Sequence, residues 1–136
     1  MPEQLAIAPG TVLTVVSQDE RELLLEASYA PRGAPPPAHL HPAQDEHFLA
    51  LAGTMNVSLD GRPSLLAEGE QLDVPRGTAH QMWNGGERPA RLRWSIAPAG
   101  RMLEWFRELS NIAAGEPAGD PATLLSRFED VFRLAG

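Results

Sequence analysis

Hydrophobic and polar positions change rhythm near Pro98: short alternating runs broken by Gly and Pro give way to apolar residues at helical spacing. Thr11 to Ser17 is β-branched and apolar. Glu22 to Tyr29 alternates, with Leu23, Leu25, Ala27 and Tyr29 on one face and Glu22, Glu26 and Ser28 on the other. Two strands joined by the polar run Gln18 to Arg21 are therefore predicted. Further strands are predicted at His47 to Ala52, Thr54 to Leu59, Gln71 to Val74, Ala79 to Trp83 and Ala90 to Ala97. Asp60-Gly61 marks a hairpin, and in the last strand Leu92, Trp94 and Ile96 share one face while Arg91, Arg93 and Ser95 take the other. So many short strands argue for a closed barrel or a sandwich.

After Gly100, Met102, Trp105, Phe106, Leu109, Ile112 and Ala113 form one face of an amphipathic helix. Asp120 offers an N-cap with Pro121 at the first helical position, and Leu124, Phe128, Val131, Phe132 and Ala135 repeat the helical spacing. The expected organisation is a β-barrel domain over residues 1–98 and a helical extension over residues 99–136, packed on the barrel or on a dimer partner rather than acting as a substrate lid.

Composition narrows the chemistry. With 136 residues, 43% hydrophobic and 21% charged, the chain has the size and balance of one folded domain. A formal charge of -7 repels phosphate backbones, so nucleic acid is not expected as a partner. There is no Cys, and all 11 basic residues are Arg, which excludes thiolate chemistry, Cys-type metal sites and Schiff-base lysines. Met1 to Gly10 lacks the charged and apolar regions of a leader, and no apolar run approaches about 18 residues, so a cytoplasmic protein without a membrane partner is expected.

Any metal must then be held by N and O. His39 and His41 are two apart, so on a strand both imidazoles point to one side. Glu46 follows His41 by five positions, an odd step, so a bend is needed between them, and Pro42 supplies a reason for it. His80 follows Pro75-Arg76-Gly77, a turn able to re-aim a strand toward the first cluster. Three imidazoles and a carboxylate suit Mn, Fe, Co, Ni, Cu or Zn and suit Ca or Mg poorly. Such a centre keeps net positive charge and favours an anionic or chelating ligand.

Gly33, five residues, His39-Leu40-His41, four residues, Glu46, six residues and Gly53 resemble the first motif of the cupin superfamily. Gly69, five residues, Pro75, one residue, Gly77, two residues, His80, three residues and Asn84 resemble the second. The resemblance implies an all-β cupin fold, a double-stranded β-helix or jelly-roll barrel, here carrying two C-terminal α-helices. It further implies one divalent transition-metal ion (Fe, Mn, Ni, Cu or Zn) bound by His39, His41, Glu46 and His80, as in the small bacterial single-domain cupins of quercetin-dioxygenase type.

Phe48, Met55, Met82 and Trp94 are expected to line the substrate pocket with Val57, Ile96 and Ala50, and Tyr29 to stand at its mouth. His47 neighbours Glu46 and should face away; Trp83 should face outward with Arg91 and Arg93, toward a homodimer contact. Asp45 is the one acid–base candidate near the site besides Glu46. A dioxygenase-like oxidation of a small aromatic or enediol-type molecule, with Glu46 as the catalytic base, therefore leads. The alternatives are a non-catalytic small-molecule-binding or sensory module and a metal-dependent cyclase or isomerase. A second ionisable side chain reaching the metal from inside the cavity would favour the last of these.

Overall fold

The computed structural model describes residues 1–135. Eleven strands and two helices follow in order: β1 (Gln4–Ala8), β2 (Thr11–Gln18), β3 (Leu23–Tyr29), β4 (His39–Leu40), β5 (Asp45–Ala52), β6 (Met55–Leu59), β7 (Arg62–Leu66), β8 (Gln71–Val74), β9 (His80–Trp83), β10 (Ala90–Ala97), α1 (Met102–Ala113), α2 (Pro121–Arg127) and β11 (Arg133–Leu134). The strands form a six-stranded sheet, β1-β2-β3-β10-β5-β8, and a five-stranded sheet, β11-β4-β9-β6-β7. Every ladder is antiparallel. The fold is thus the expected jelly roll with two C-terminal helices, but its two sheets keep separate ladders and do not close into one hydrogen-bonded barrel.

Alternation places the core between the sheets. Leu92, Trp94 and Ile96 of β10 are buried, as are Leu23, Leu25 and Ala27 of β3, while Arg91 and Arg93 are exposed. The Asp60-Gly61 hairpin forms as predicted: φ is 49° and 79° at these residues, the left-handed pair a two-residue turn requires, and Leu59 faces Arg62 across it. Its second strand, β7, was not legible because Pro63 interrupts the pattern. That proline is tolerated because β7 is the sheet's last strand. β1 was also missed; it pairs with β2 and carries α1, with Arg107 of α1 donating to Glu3 at 2.8 and 2.9 Å.

The second helix is shorter than its apolar spacing suggests. Asp120 caps it through Thr123 N–H and Pro121 opens it, but it ends at Arg127. Phe128 and Val131 are buried in a turn, and the chain then pairs as β11 with β4. The expected helix over Val131, Phe132 and Ala135 is replaced by this strap. A β ladder to β4, closed by Ala135 N–H on the Ala38 carbonyl at 2.9 Å, occupies the backbone groups another helical turn would have used.

Candidate metal centre and its cavity

The bend foreseen between His41 and Glu46 is present: β4 ends at Leu40 and β5 begins at Asp45. Turn residues aim the fourth residue. Gly77, at φ 79°, donates to the His41 carbonyl at 2.9 Å, and Thr78 N–H closes the turn on Pro75 at 3.1 Å. His80 is then delivered directly opposite His39 in the β4–β9 pair.

His39, His41 and His80 offer ligand atoms that all lie within 4.8 Å of one another. Each imidazole is held from behind by a backbone carbonyl at Nδ1: Pro37 for His39 at 3.0 Å, Val131 for His41 at 2.6 Å and Thr78 for His80 at 2.9 Å. A carbonyl only accepts, so each Nδ1 carries the proton and each Nε2 is turned to the centre as a ligand. Glu46 Oε1 stands 3.3 Å from His41 Nε2 and 3.1 Å from His80 Nε2, and the Trp94 indole N–H donates to Oε2 at 2.8 Å.

The residues fit a metal ion. His41 Nε2 and Glu46 Oε1 are buried without a hydrogen-bond partner, and two acceptors facing each other at this distance are reconciled only by a cation or a proton between them. The electrostatics of the site agree. Burial pushes the His39 imidazole down to about 4, aided by the charges of His80 and His41, and burial also lowers His41. Burial opposes ionisation of Glu46, but the close His80 imidazole, the charges of His41 and His80 and the Trp94 bond together hold its carboxyl below the usual range. Burial likewise opposes charge on His80, yet Glu46 and the Thr78 carbonyl raise it.

The three imidazoles line a cavity of about 790 Å³, with the Glu46 carboxylate buried beside His41 and His80. Of the pocket residues expected from sequence, Tyr29, Phe48, Met82 and Trp94 line it. Met55, Val57, Ala50 and Ile96 do not; all are buried in the core. Trp83, expected outside, lines the cavity, as do Trp105 and Phe106 of α1 and Phe132 of the strap. Sequence offered no sign of these last three beyond a helical face, because the periodicity of core packing and of a cavity wall is the same.

Asp45 does not serve the site. It lies on the outer face of β5, bound to Arg76 at 2.9, 3.2 and 3.1 Å, and these bonds lower its carboxyl. His47 faces outward as expected and meets Asp73 at 2.6 Å. Besides the imidazoles, the ionisable residues lining the cavity are Tyr29 and Arg32, and the Tyr29 phenol is pushed up first by burial and then by the Glu46 charge. No helix among the described residues is long and apolar enough to cross a membrane.

Comparison with known proteins agrees with this fold. The chain is 34% identical over 97 residues to "Germin-like protein subfamily T member 2" of Arabidopsis thaliana, covering 67% of this chain and 44% of that one. It is 35% identical over 84 residues to "Tetracenomycin polyketide synthase protein TcmJ" of Streptomyces glaucescens, covering 62% and 53%. The chain thus spans about half the length of the curated relatives it matches. Its fold superposes on an RmlC-like cupin from Shewanella frigidimarina with a TM-score of 0.66 at 18% identity, covering 76% of this chain and 89% of that one. Residues 25–96, more than half of the 136, match the family model described as "Cupin domain", and the chain belongs to the cupin family.

Proposed function

We propose that the chain is a metal-dependent enzyme that binds one divalent transition-metal ion through His39, His41 and His80, with Glu46 beside them, and acts on an enolisable or aromatic small molecule. The observation that carries this reading is the convergence of three imidazoles, each tied at Nδ1 to a carbonyl, on the wall of an aromatic cavity, with an orphaned carboxylate oxygen beside two of them. When bound, the ion supplies positive charge that stabilises an anionic oxygen on the ligand.

The chain's own groups divide the proton work. Glu46 is held ionised and is the base; Tyr29 is held neutral and is a hydrogen-bond donor. Trp94 fixes the Glu46 carboxylate, and Phe48, Trp83, Trp105 and Phe106 present flat apolar surfaces that bind a planar ligand and exclude water. A carboxylate base and a neutral phenol in one site suit proton transfer and ring closure, so a cyclase or isomerase reaction leads here, and a relative named for a polyketide synthase supports ketone-bearing ligands. Dioxygenation is the second reading, favoured by the otherwise apolar wall. A homodimer belongs to the same reading, with exposed Val12, Val16 and Leu65 as apolar contact positions.

The test is turnover of poly-β-ketone and flavonol probes by metal-loaded protein with and without air. Conversion under nitrogen at the rate seen in air supports the cyclase reading. Conversion only with stoichiometric oxygen uptake overturns it in favour of dioxygenation, and binding of probes without conversion by any metal-loaded form leaves a binding module.

A further inference from the structure

The strap that replaces the expected helix reaches the metal centre from outside the motifs that define it. Two of the three imidazoles depend on it. The Val131 carbonyl accepts from His41 Nδ1 at 2.6 Å, 90 positions away in sequence. The Phe132 ring stacks on His39 with centroids 4.9 Å apart and planes at 22°. On its other side Phe132 stacks on Trp105 at 4.6 Å and 28°, giving a continuous pile from α1 through the strap to a ligand. β11 pairs Leu134 with His39 and Arg133 with Leu40 along the two-residue strand that carries His39.

The strap is also anchored at its root. Arg101 donates to the Arg127 carbonyl at 2.8 Å and to Asp130 at 2.9 Å, and its guanidinium lies 4.7 Å over the Phe128 ring. Val131 is buried at 1% exposure. A two-residue strand such as β4 cannot fix side chains by its own ladder, since its partner β9 pairs with it only at His39 and His80. Without the strap, His41 loses the acceptor that keeps its proton on Nδ1, and His39 keeps only the Pro37 carbonyl.

We propose that Val131–Ala135 is a positioning element of the metal centre: the Val131 carbonyl sets the His41 tautomer and the Phe132 ring sets the plane of His39. The inference rests on the metal-binding reading above. Acceptors behind metal-ligating histidines are commonly worth about 10- to 100-fold in metal affinity.

The test uses chelator-treated full-length chain titrated with Co²⁺, following affinity, the visible Co²⁺ absorption and the melting temperature of the metal-free protein. Phe132→Ala is expected to weaken Co²⁺ binding at least about tenfold and to change the absorption band, with Phe132→Tyr, which keeps the ring, within about twofold of the parent. Arg101→Gln, which touches no cavity residue but loosens the root, is expected to change the band in the same sense and serves if Phe132→Ala does not fold. Unchanged affinity and band in Phe132→Ala and Arg101→Gln would overturn the proposal and leave the metal centre standing. So would an affinity loss shared by Phe132→Tyr, or one that follows melting temperature with the band unchanged. A parent chain that takes up no Co²⁺ overturns both.

Discussion

The indole of Trp94 hydrogen-bonds Glu46 Oε2 at 2.8 Å while its ring stacks on Phe48 at 5.2 Å. One residue on β10 therefore orients the carboxylate of β5 and builds the cavity wall. Trp94→Phe keeps most of the wall and removes the donor. It is expected to cost about 1–3 kcal/mol in stability, from a buried acceptor left unpaired, and about tenfold in metal affinity. Chemical denaturation and a metal titration on the same preparation check both.

Tyr29→Phe removes only the cavity phenol. Metal affinity is expected to stay at the parent level while turnover of a converted probe falls about 100-fold or more, the usual contribution of a positioned proton donor. Equal turnover in the two proteins would remove Tyr29 from the chemistry.

Two glycines in left-handed turns separate conformational from steric need. At Gly61, φ is 79° and a Cβ would meet nothing within 4 Å, so Gly61→Ala should cost about 1–2 kcal/mol from backbone strain alone. At Gly53, φ is 70° and a Cβ would overlap the Pro89 carbonyl oxygen and crowd Ala90 Cα at 2.9 Å, so Gly53→Ala should cost about 3–5 kcal/mol. Urea unfolding of the two variants orders them; equal losses would contradict the packing argument.

Acid should destabilise the metal-free protein well before its surface carboxylates titrate. His39 is held near 4 when folded and titrates at about 6.5 when unfolded, so between those values the unfolded chain binds the extra proton and stability falls as pH falls. His41 works in the same direction, whereas His80, raised when folded, gives stability that is lost as pH rises above its unfolded value. The slope from His39 is bounded at about 1.4 kcal/mol per pH unit. Melting curves of chelator-treated protein from pH 7 to 4 should show the fall, and His39→Phe should flatten it.

Much of the site was legible because its chemistry is local. The His39, His41 and His80 spacing, the Pro42 bend and the Gly77 turn each act over a few residues, and those residues met as expected. The β10 alternation and the Asp60-Gly61 hairpin were legible for the same reason. What was not legible depends on contacts far apart in the chain. Phe132 and Val131 fit a helical face as well as they fit a strap, and only the edge of β4 decides between them. Met55 and Trp83 were misplaced because alternation gives the side of a strand but not whether that side meets core or cavity.

Metal binding itself is the central claim, and its most direct test is elemental analysis with titration of chelator-treated parent, His39→Ala, His41→Ala and His80→Ala proteins. The account predicts about one equivalent of transition metal per chain in the parent and loss of tight binding in each folded variant. Stoichiometric metal retained by all three variants, or none taken up by the parent, would contradict it.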